Sequence, residues 1–279
     1  MIPSLNIKGN LRELTRPMVM GILNVTPDSF YSGSRKQTEK EICERIEAIF
    51  HEGGDMVDIG GYSSRPSAID ISVEEELSRL ETGLRLIKQV NSDAVVSVDT
   101  FRAEVAKACV EKHGADIIND ISGGTIDANM FETIAQLQVP YIMMHMRGTP
   151  QTMQQFTHYD HLMDEIMMFF SERINMLTRL KVNDIIVDPG FGFSKTVQQN
   201  FELMHNISEF KIFERPVLVG ISRKSMIYKT LETTAEQSLN GTTVLNTFAL
   251  LGGAHLLRVH DVKEAVETVK LLEAIKNGH

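Results

Sequence analysis

The chain has 279 residues, 42% of them hydrophobic and 23% charged, which excludes a disordered chain and leaves ample apolar surface for a core. Its formal net charge of −9 argues against nucleic acid or an anionic membrane as a partner, while a local cluster of Arg and Lys can still serve a small anionic ligand. Cys43 and Cys109 have no partners at metal spacing, the nine His form no HExxH pattern, and the opening MIPSLNIKGNLREL is too charged for a signal peptide or an anchor, so a reducing, cytoplasmic setting without a tightly held transition metal is expected.

Residues 4–14 alternate weakly about Gly9-Asn10 and read as a small hairpin outside the main fold, within an N-terminal extension over 1–16. A first strand is predicted at 19–24, followed by a long polar loop and a helix that Thr38 opens with Glu41 as a capping box. The second strand is 56–60, and Ser72 with Glu75 opens the helix after it. Strands follow at 95–99, 117–120 and 141–145, with helices predicted over 102–113, closed by Gly114, over 129–137, and through Ile166, Phe170, Ile174 and Leu177. The sixth strand, 185–188, precedes a helix near 199–210, the seventh, 217–220, one over 234–251, and the eighth, 254–259, one opened by Asp261 with Glu264. Strict alternation of strand and helix means a parallel sheet with right-handed crossovers. Eight such units favour a closed (β/α)8 TIM barrel, the whole of 1–279 forming one domain. A doubly wound sheet is the runner-up, and its dinucleotide version lacks the GxGxxG fingerprint.

The stretch IIVDPGFGFSK, 185–195, puts an acid at the end of a buried strand, then Pro189, Gly190 and Gly192 in a turn with Phe191 and Phe193. Alone, Asp188 reads equally as a helix cap or as the floor of a site for a flat polar ligand. The other strand ends repeat the arrangement, with Asn24, Gly61, Asp99, Asn119, His145, Ser222 and His260 at theirs. Asp99, Asn119, Asp188 and Lys224 supply acceptors, an amide and a cation, a set that suits the amino-pyrimidinone edge of a planar base. Asn24, Ser64, Arg65, Arg258 and His260 suit a phosphate, at the end of the barrel where this fold usually binds one. His145 reads as packing rather than chemistry, and Met144 as an apolar wall of the pocket. The apolar run 248–257 hints at a helix face in a dimer contact.

Eight motifs in order carry a family resemblance: GILNVTPDSF at 21–30, DIGGYSSRP at 58–66, SVDTFR at 97–102, IINDISGG at 117–124, MHMRGTPQTMQ at 144–154, DPGFGF at 188–193, SRKS at 222–225 and RVHDV at 258–262. The chain resembles dihydropteroate synthase, the folate-pathway enzyme, along nearly its whole length. The resemblance implies condensation of 6-hydroxymethyl-7,8-dihydropterin pyrophosphate with p-aminobenzoate to give 7,8-dihydropteroate and pyrophosphate, the pyrophosphate leaving first, with Mg2+ as cofactor. It implies that Asp99, Asn119, Asp188 and Lys224 hold the pterin, with Met144, Phe193 and Gly220 around it, and that Lys224, Asp99 and Asp188 are the catalytic groups. Asn24, Ser64, Arg65, Arg258 and His260 would hold the pyrophosphate, Asn24 also near the metal, and Ser64, Pro66, Phe193, Ser222 and Lys224 would shape the aminobenzoate site. Small-molecule substrates and a homodimer are the expected partners. The alternatives are a methyltetrahydrofolate–corrinoid methyltransferase-like enzyme and a non-catalytic pterin-binding protein.

Four departures from the common family pattern stand out: Tyr31 with its neighbours, Ser64 for Thr, and Ser67 and Ser194 for Gly. The loops 26–37 and 61–68 are expected to close on ligand. Arg258 is expected to serve the pyrophosphate, so that Arg258→Ala leaves affinity for a bare pterin nearly intact while weakening pyrophosphate binding and, through the loop, aminobenzoate binding.

Overall fold

The structure, a computed structural model, describes residues 3–25, 35–64 and 69–278. It opens on an antiparallel hairpin of β1 (Ser4–Ile7) and β2 (Asn10–Glu13). Lys8 and Gly9 take φ of 55° and 74°, the left-handed pair a two-residue hairpin turn requires, so the turn falls one residue before Gly9-Asn10. The hairpin is also not outside the main fold. Leu5, Ile7 and Leu14 are buried in one cluster with Met20, Met56, Val95, Ile117, Ile142, Ile186, Leu218 and Leu256, the lowest apolar residues of the eight strands that follow. The hairpin thus plugs the amino-terminal mouth of the barrel. Asn6 N donates to Asp184 Oδ1 at 2.8 Å, and Lys8 Nζ to the Asp93 and Ala94 carbonyls at 3.1 and 2.8 Å.

Eight strand–helix units follow. They are β3 (Met18–Asn24) with α1 (Arg35–His51), β4 (Met56–Gly60) with α2 (Val73–Val90), β5 (Val96–Asp99) with α3 (Ala103–His113), and β6 (Ile117–Asp120) with α4 (Met130–Leu137). The second half is β7 (Tyr141–Met144) with α5 (Leu162–Arg179), β8 (Ile185–Asp188) with α6 (Val197–His205), β9 (Leu218–Val219) with α7 (Ser225–Thr230) and α8 (Leu239–Gly252), and β10 (Leu256–Val259) with α9 (Val262–Asn277). The strands run parallel in the order β8-β7-β6-β5-β4-β3-β10-β9, and one bridge between Val187 and Val217 joins the two ends into a (β/α)8 barrel. That seam is narrow because Pro216 has no N–H to donate and Val217 N turns to His255 Nδ1, at 3.2 Å.

Three local readings change. The predicted helix over 234–251 begins only at Leu239, and the short α7 ahead of it was not expected. The predicted helix near 199–210 stops at His205 and the chain continues as a 3-10 turn, Ile207–Phe213. Of the two expected capping boxes, Ser72 does accept from Glu75 N at 3.2 Å. Thr38, however, lies inside α1, and Asp261 gives its carboxylate to Arg223 Nε and an Arg223 amino nitrogen at 2.9 and 2.7 Å.

Period-two alternation stacks the barrel interior in layers. Two residues beyond the apolar bottom layer come Ile22, Asp58, Ser97, Asn119, Met144, Asp188, Gly220 and Arg258. Two further on, toward the carboxyl ends, come Asn24, Gly60, Asp99, Ile121 and His260. The barrel is therefore dry below and polar above.

Candidate active site

A cavity of about 260 Å³ occupies the carboxyl ends of the strands. Of the residues expected there from sequence, Asn24, Ser64, Asp99, Asn119, Met144, Asp188, Phe193, Gly220, Lys224, Arg258 and His260 line it. Ser222 does not: it is buried behind the wall and its Oγ accepts from His260 N at 3.1 Å, fixing the strand end that carries His260. Arg65 and Pro66 lie outside the described residues, as do Ser67, Tyr31 and most of the loops expected to close. Ile22, Tyr62, Ser63 and Ile121 also line the cavity. One wall is apolar, where Met144, Ile121, Phe193 and Tyr62 pack with Phe101, Met146 and Met153. The opposite side is charged.

The charged side is organised by Arg258. Its Nε donates to Asp58 Oδ2 at 2.6 Å and an amino nitrogen donates to Asp99 Oδ2 at 2.7 Å. Asn119 Nδ2 donates to the same Asp58 oxygen at 3.1 Å. Asp58 is a buried partner of the site that reading the strand ends missed; its signals are a lone carboxylate in the otherwise apolar strand MVDIG and its place at the head of DIGGYSSRP. Arg258 is thus part of the floor as well as a candidate anion ligand. Burial works against its charge, but Asp58 and Asp99 outweigh burial and hold the guanidinium above its ordinary value. Burial raises the Asp99 carboxyl to about 7, against the pull of Arg258. Because the guanidinium keeps its proton at any working pH, the change of charge in this pair falls on Asp99.

Lys224 is lowered to about 8 by burial, with Asp188 opposing the shift. Its ammonium donates to the Phe191 carbonyl and sits 4.7 Å from the Phe193 ring centre. Burial raises Asp188, and the charge of Lys224 opposes it most. Asp188 Oδ1 accepts from Gly190 N at 2.8 Å. His260 is lowered to about 4, by burial first and then by the charges of Arg258 and Arg45. Its side chain is nevertheless exposed at the mouth, where the two arginine charges oppose its protonation. The imidazole is neutral at pH 7 and offers a hydrogen bond rather than a charge.

The turn after β8 shapes the floor. Gly190, Gly192 and Ser194 all have positive φ, at 73°, 82° and 46°. A Cβ on Gly190 would lie 2.0 Å from the His145 carbonyl oxygen. Gly190→Ala should therefore destabilise the fold by about 2 kcal/mol or more, combining left-handed strain with a backbone clash. Urea unfolding measures this, and an unchanged midpoint would refute it. Ser194, a departure from the common Gly, is absorbed: its Oγ accepts from Arg147 N at 3.0 Å, behind the cavity. Under the turn lies buried Lys195, a second residue the sequence reading passed over, with His145 beside it. His145 does not line the cavity, in keeping with a packing role.

Fold and site together define a (β/α)8-barrel enzyme whose cavity has one flat apolar wall, carboxylate acceptors and cationic donors. The family described as pterin binding enzyme matches residues 20–260. The dihydropteroate synthase of Escherichia coli (strain K12) is 39% identical over 269 residues, covering 96% of this chain and 94% of that protein. The structure of Xanthomonas albilineans dihydropteroate synthase with 4-aminobenzoic acid superposes with a TM-score of 0.90 at 35% identity, covering 99% of each chain. The same enzyme in complex with 7,8-dihydropteroate gives a TM-score of 0.86 at 34% identity, covering 98% of this chain and 99% of that one. The chain belongs to the dihydropteroate synthase family. Its activity is that of a transferase in folate synthesis.

Proposed function

We propose that the cavity condenses 6-hydroxymethyl-7,8-dihydropterin pyrophosphate with p-aminobenzoate, using the residues described above in distinct roles. The observation that carries this is the convergence of Asp99, Asn119, Asp188 and Lys224 with Asn24, Ser64, Arg258 and His260 on one cavity, with Arg258 touching the pterin floor and standing two residues from His260. Asp188, Asn119 and Asp99 take the polar edge of the pterin, Lys224 donates to its carbonyl or ring nitrogen, and Met144 and Phe193 cover its faces. Arg258, His260, Asn24 and Ser64, with Arg65, take the pyrophosphate. Phe193, Ser64, Pro66 and Lys224 form the aminobenzoate side, with Ser222 supporting His260 from behind.

The carbon–oxygen bond to pyrophosphate breaks first, its electron pair leaving with the phosphate oxygen. The electron-rich ring shares the positive charge left on the methylene, and the Asp99 and Asp188 carboxylates stabilise that charge. The arylamine nitrogen then bonds to the methylene, and the proton it sheds passes to solvent water. It is neutral and nucleophilic at pH 7, so no strong base is needed. Mg2+ fits as an ion brought by the pyrophosphate. Asn24 offers a hard amide oxygen at the mouth, and no cluster of three His, Cys, Asp or Glu suited to a metal occurs among the described residues. When bound, the ion offsets the negative charge of the leaving group. The test is to mix the protein with the pyrophosphate, Mg2+ and p-aminobenzoate and look for dihydropteroate. Release of pyrophosphate with no joined product would defeat the reading.

Pterin binding requires Asp99 ionised, above about 7, and Lys224 protonated, below about 8. Affinity for a bare pterin should therefore peak between those values and fall on both sides. Lys224→Arg should move the alkaline limb upward and leave the acid limb in place. Fluorescence titration across pH measures both limbs, and a flat profile would exclude this assignment.

A homodimer through α8 and α9 is part of the proposal. Val244, Phe248 and Leu251 on α8 and Leu271 and Ile275 on α9 are exposed, and the two helices pack side by side. Sedimentation velocity should give a dimer that Phe248→Glu with Leu251→Glu splits; a monomeric native protein would end the idea. A cytoplasmic location is supported by two free thiols and by the absence, among the described residues, of a helix long and apolar enough to cross a membrane.

A further inference from the structure

Lysine is almost never fully buried unless it is paired. Lys195 is 4% exposed, and no carboxylate lies within ion-pair distance of it among the described residues. A methionine would fill similar space without the cost of burying a charge. What Lys195 has instead is a set of three hydrogen-bond partners for its amino group: it donates to the Gly190 carbonyl at 3.0 Å and the Phe193 carbonyl at 3.1 Å, and it shares a hydrogen bond with His145 Nδ1 at 3.0 Å. Burial lowers its pKa well below that of an ordinary lysine, and Asp188 opposes the shift.

The segment it holds needs holding. With left-handed residues at 190, 192 and 194, the turn has no regular ladder, and side chains fix its shape. Among the described residues, four side chains hold the backbone of 190–193: Asp188 Oδ1 on Gly190 N, Lys224 on the Phe191 carbonyl, Asn200 Oδ1 on Gly192 N at 2.6 Å, and Lys195. Asp188 and Lys224 also line the cavity, so a ligand that draws on them competes with their hold on the turn. Asn200 and Lys195 do not line it, and Lys195 alone of these two reaches the Phe193 carbonyl.

We propose that Lys195 is a positioning residue for the pterin floor: it keeps the 188–193 turn in its binding shape, anchored to His145, while Lys224 leaves the Phe191 carbonyl for the ligand. This rests on the reading of the cavity as a pterin site.

The test is Lys195→Met, titrated calorimetrically with a bare pterin and separately with inorganic pyrophosphate, and assayed for kcat and KM. Pterin Kd and the KM for the dihydropterin pyrophosphate should rise about tenfold or more. Pyrophosphate Kd should stay within about twofold, because Arg258 and His260 are on other strands, and kcat at saturation should change less than KM. Lys195→Gln, which keeps two N–H groups, should recover part of the pterin affinity. A folded Lys195→Met that binds pterin as the native protein does would overturn the proposal. So would failure of both variants to fold, which would assign the lysine to the fold instead. Native protein that binds no pterin would defeat the underlying reading, a result distinguishable from either.

Discussion

Asp188→Asn should cost about 3 kcal/mol of pterin binding, on the order of a hundredfold in Kd, with little change in thermal stability. The carboxylate would accept N–H groups from the pterin edge, and the structure decides how an amide must sit in its place. Asp188 Oδ1 accepts from Gly190 N, so an asparagine would keep its oxygen there and turn its NH2 toward the cavity. A donor would then face a donor, and Lys224 would lose the charge that most opposes the lowering of its pKa. Calorimetric titration with a bare pterin measures the loss. Native affinity in the variant would remove Asp188 from the floor.

Arg258→Ala should have the broadest effect of any single substitution in the site. The sequence alone led to the expectation that this residue serves the pyrophosphate and that bare-pterin affinity survives its loss nearly intact. The geometry reverses that. Arg258 is the shared partner of Asp58, which is completely buried, and of Asp99 on the pterin side. Removing one member of a buried pair leaves uncompensated charge and costs about 3 to 5 kcal/mol. Pterin and pyrophosphate affinity should both fall, and the unfolding midpoint should fall with them. Arg258→Lys should not restore function, because an ammonium cannot bridge two carboxylates as the fork does. Adding Asp58→Asn to Arg258→Ala should recover stability but not pyrophosphate binding, a coupling that a double-mutant cycle reads directly. Intact pterin affinity and an unmoved midpoint in Arg258→Ala would sink the argument.

Much of this protein was legible before its structure. Apolar strand cores such as IIVD, each followed by a turn and a helix stripe, specify a parallel alternating fold, and eight repeats specify a barrel. The barrel then places strand-end residues on one rim, which is why Asp99, Asn119, Asp188, Lys224, Arg258 and His260 could be named as a group and do line one cavity. Periodicity reports which face a residue lies on; it does not report what lies across the barrel from it.

Asp58 joins the site only because Arg258, on a strand two places away around the barrel, reaches across to it. Lys195 is one more charged residue after a glycine turn until folding surrounds it with two carbonyls and an imidazole from a different strand. The hairpin looked like an appendage because its few apolar side chains find their partners only once eight strands have closed beneath them. Local pattern determined the elements, their order and the face that carries the chemistry. The pairing of charges across the interior was decided by tertiary structure, because those partners lie up to 200 residues apart in the chain and only the closed barrel removes the water between them.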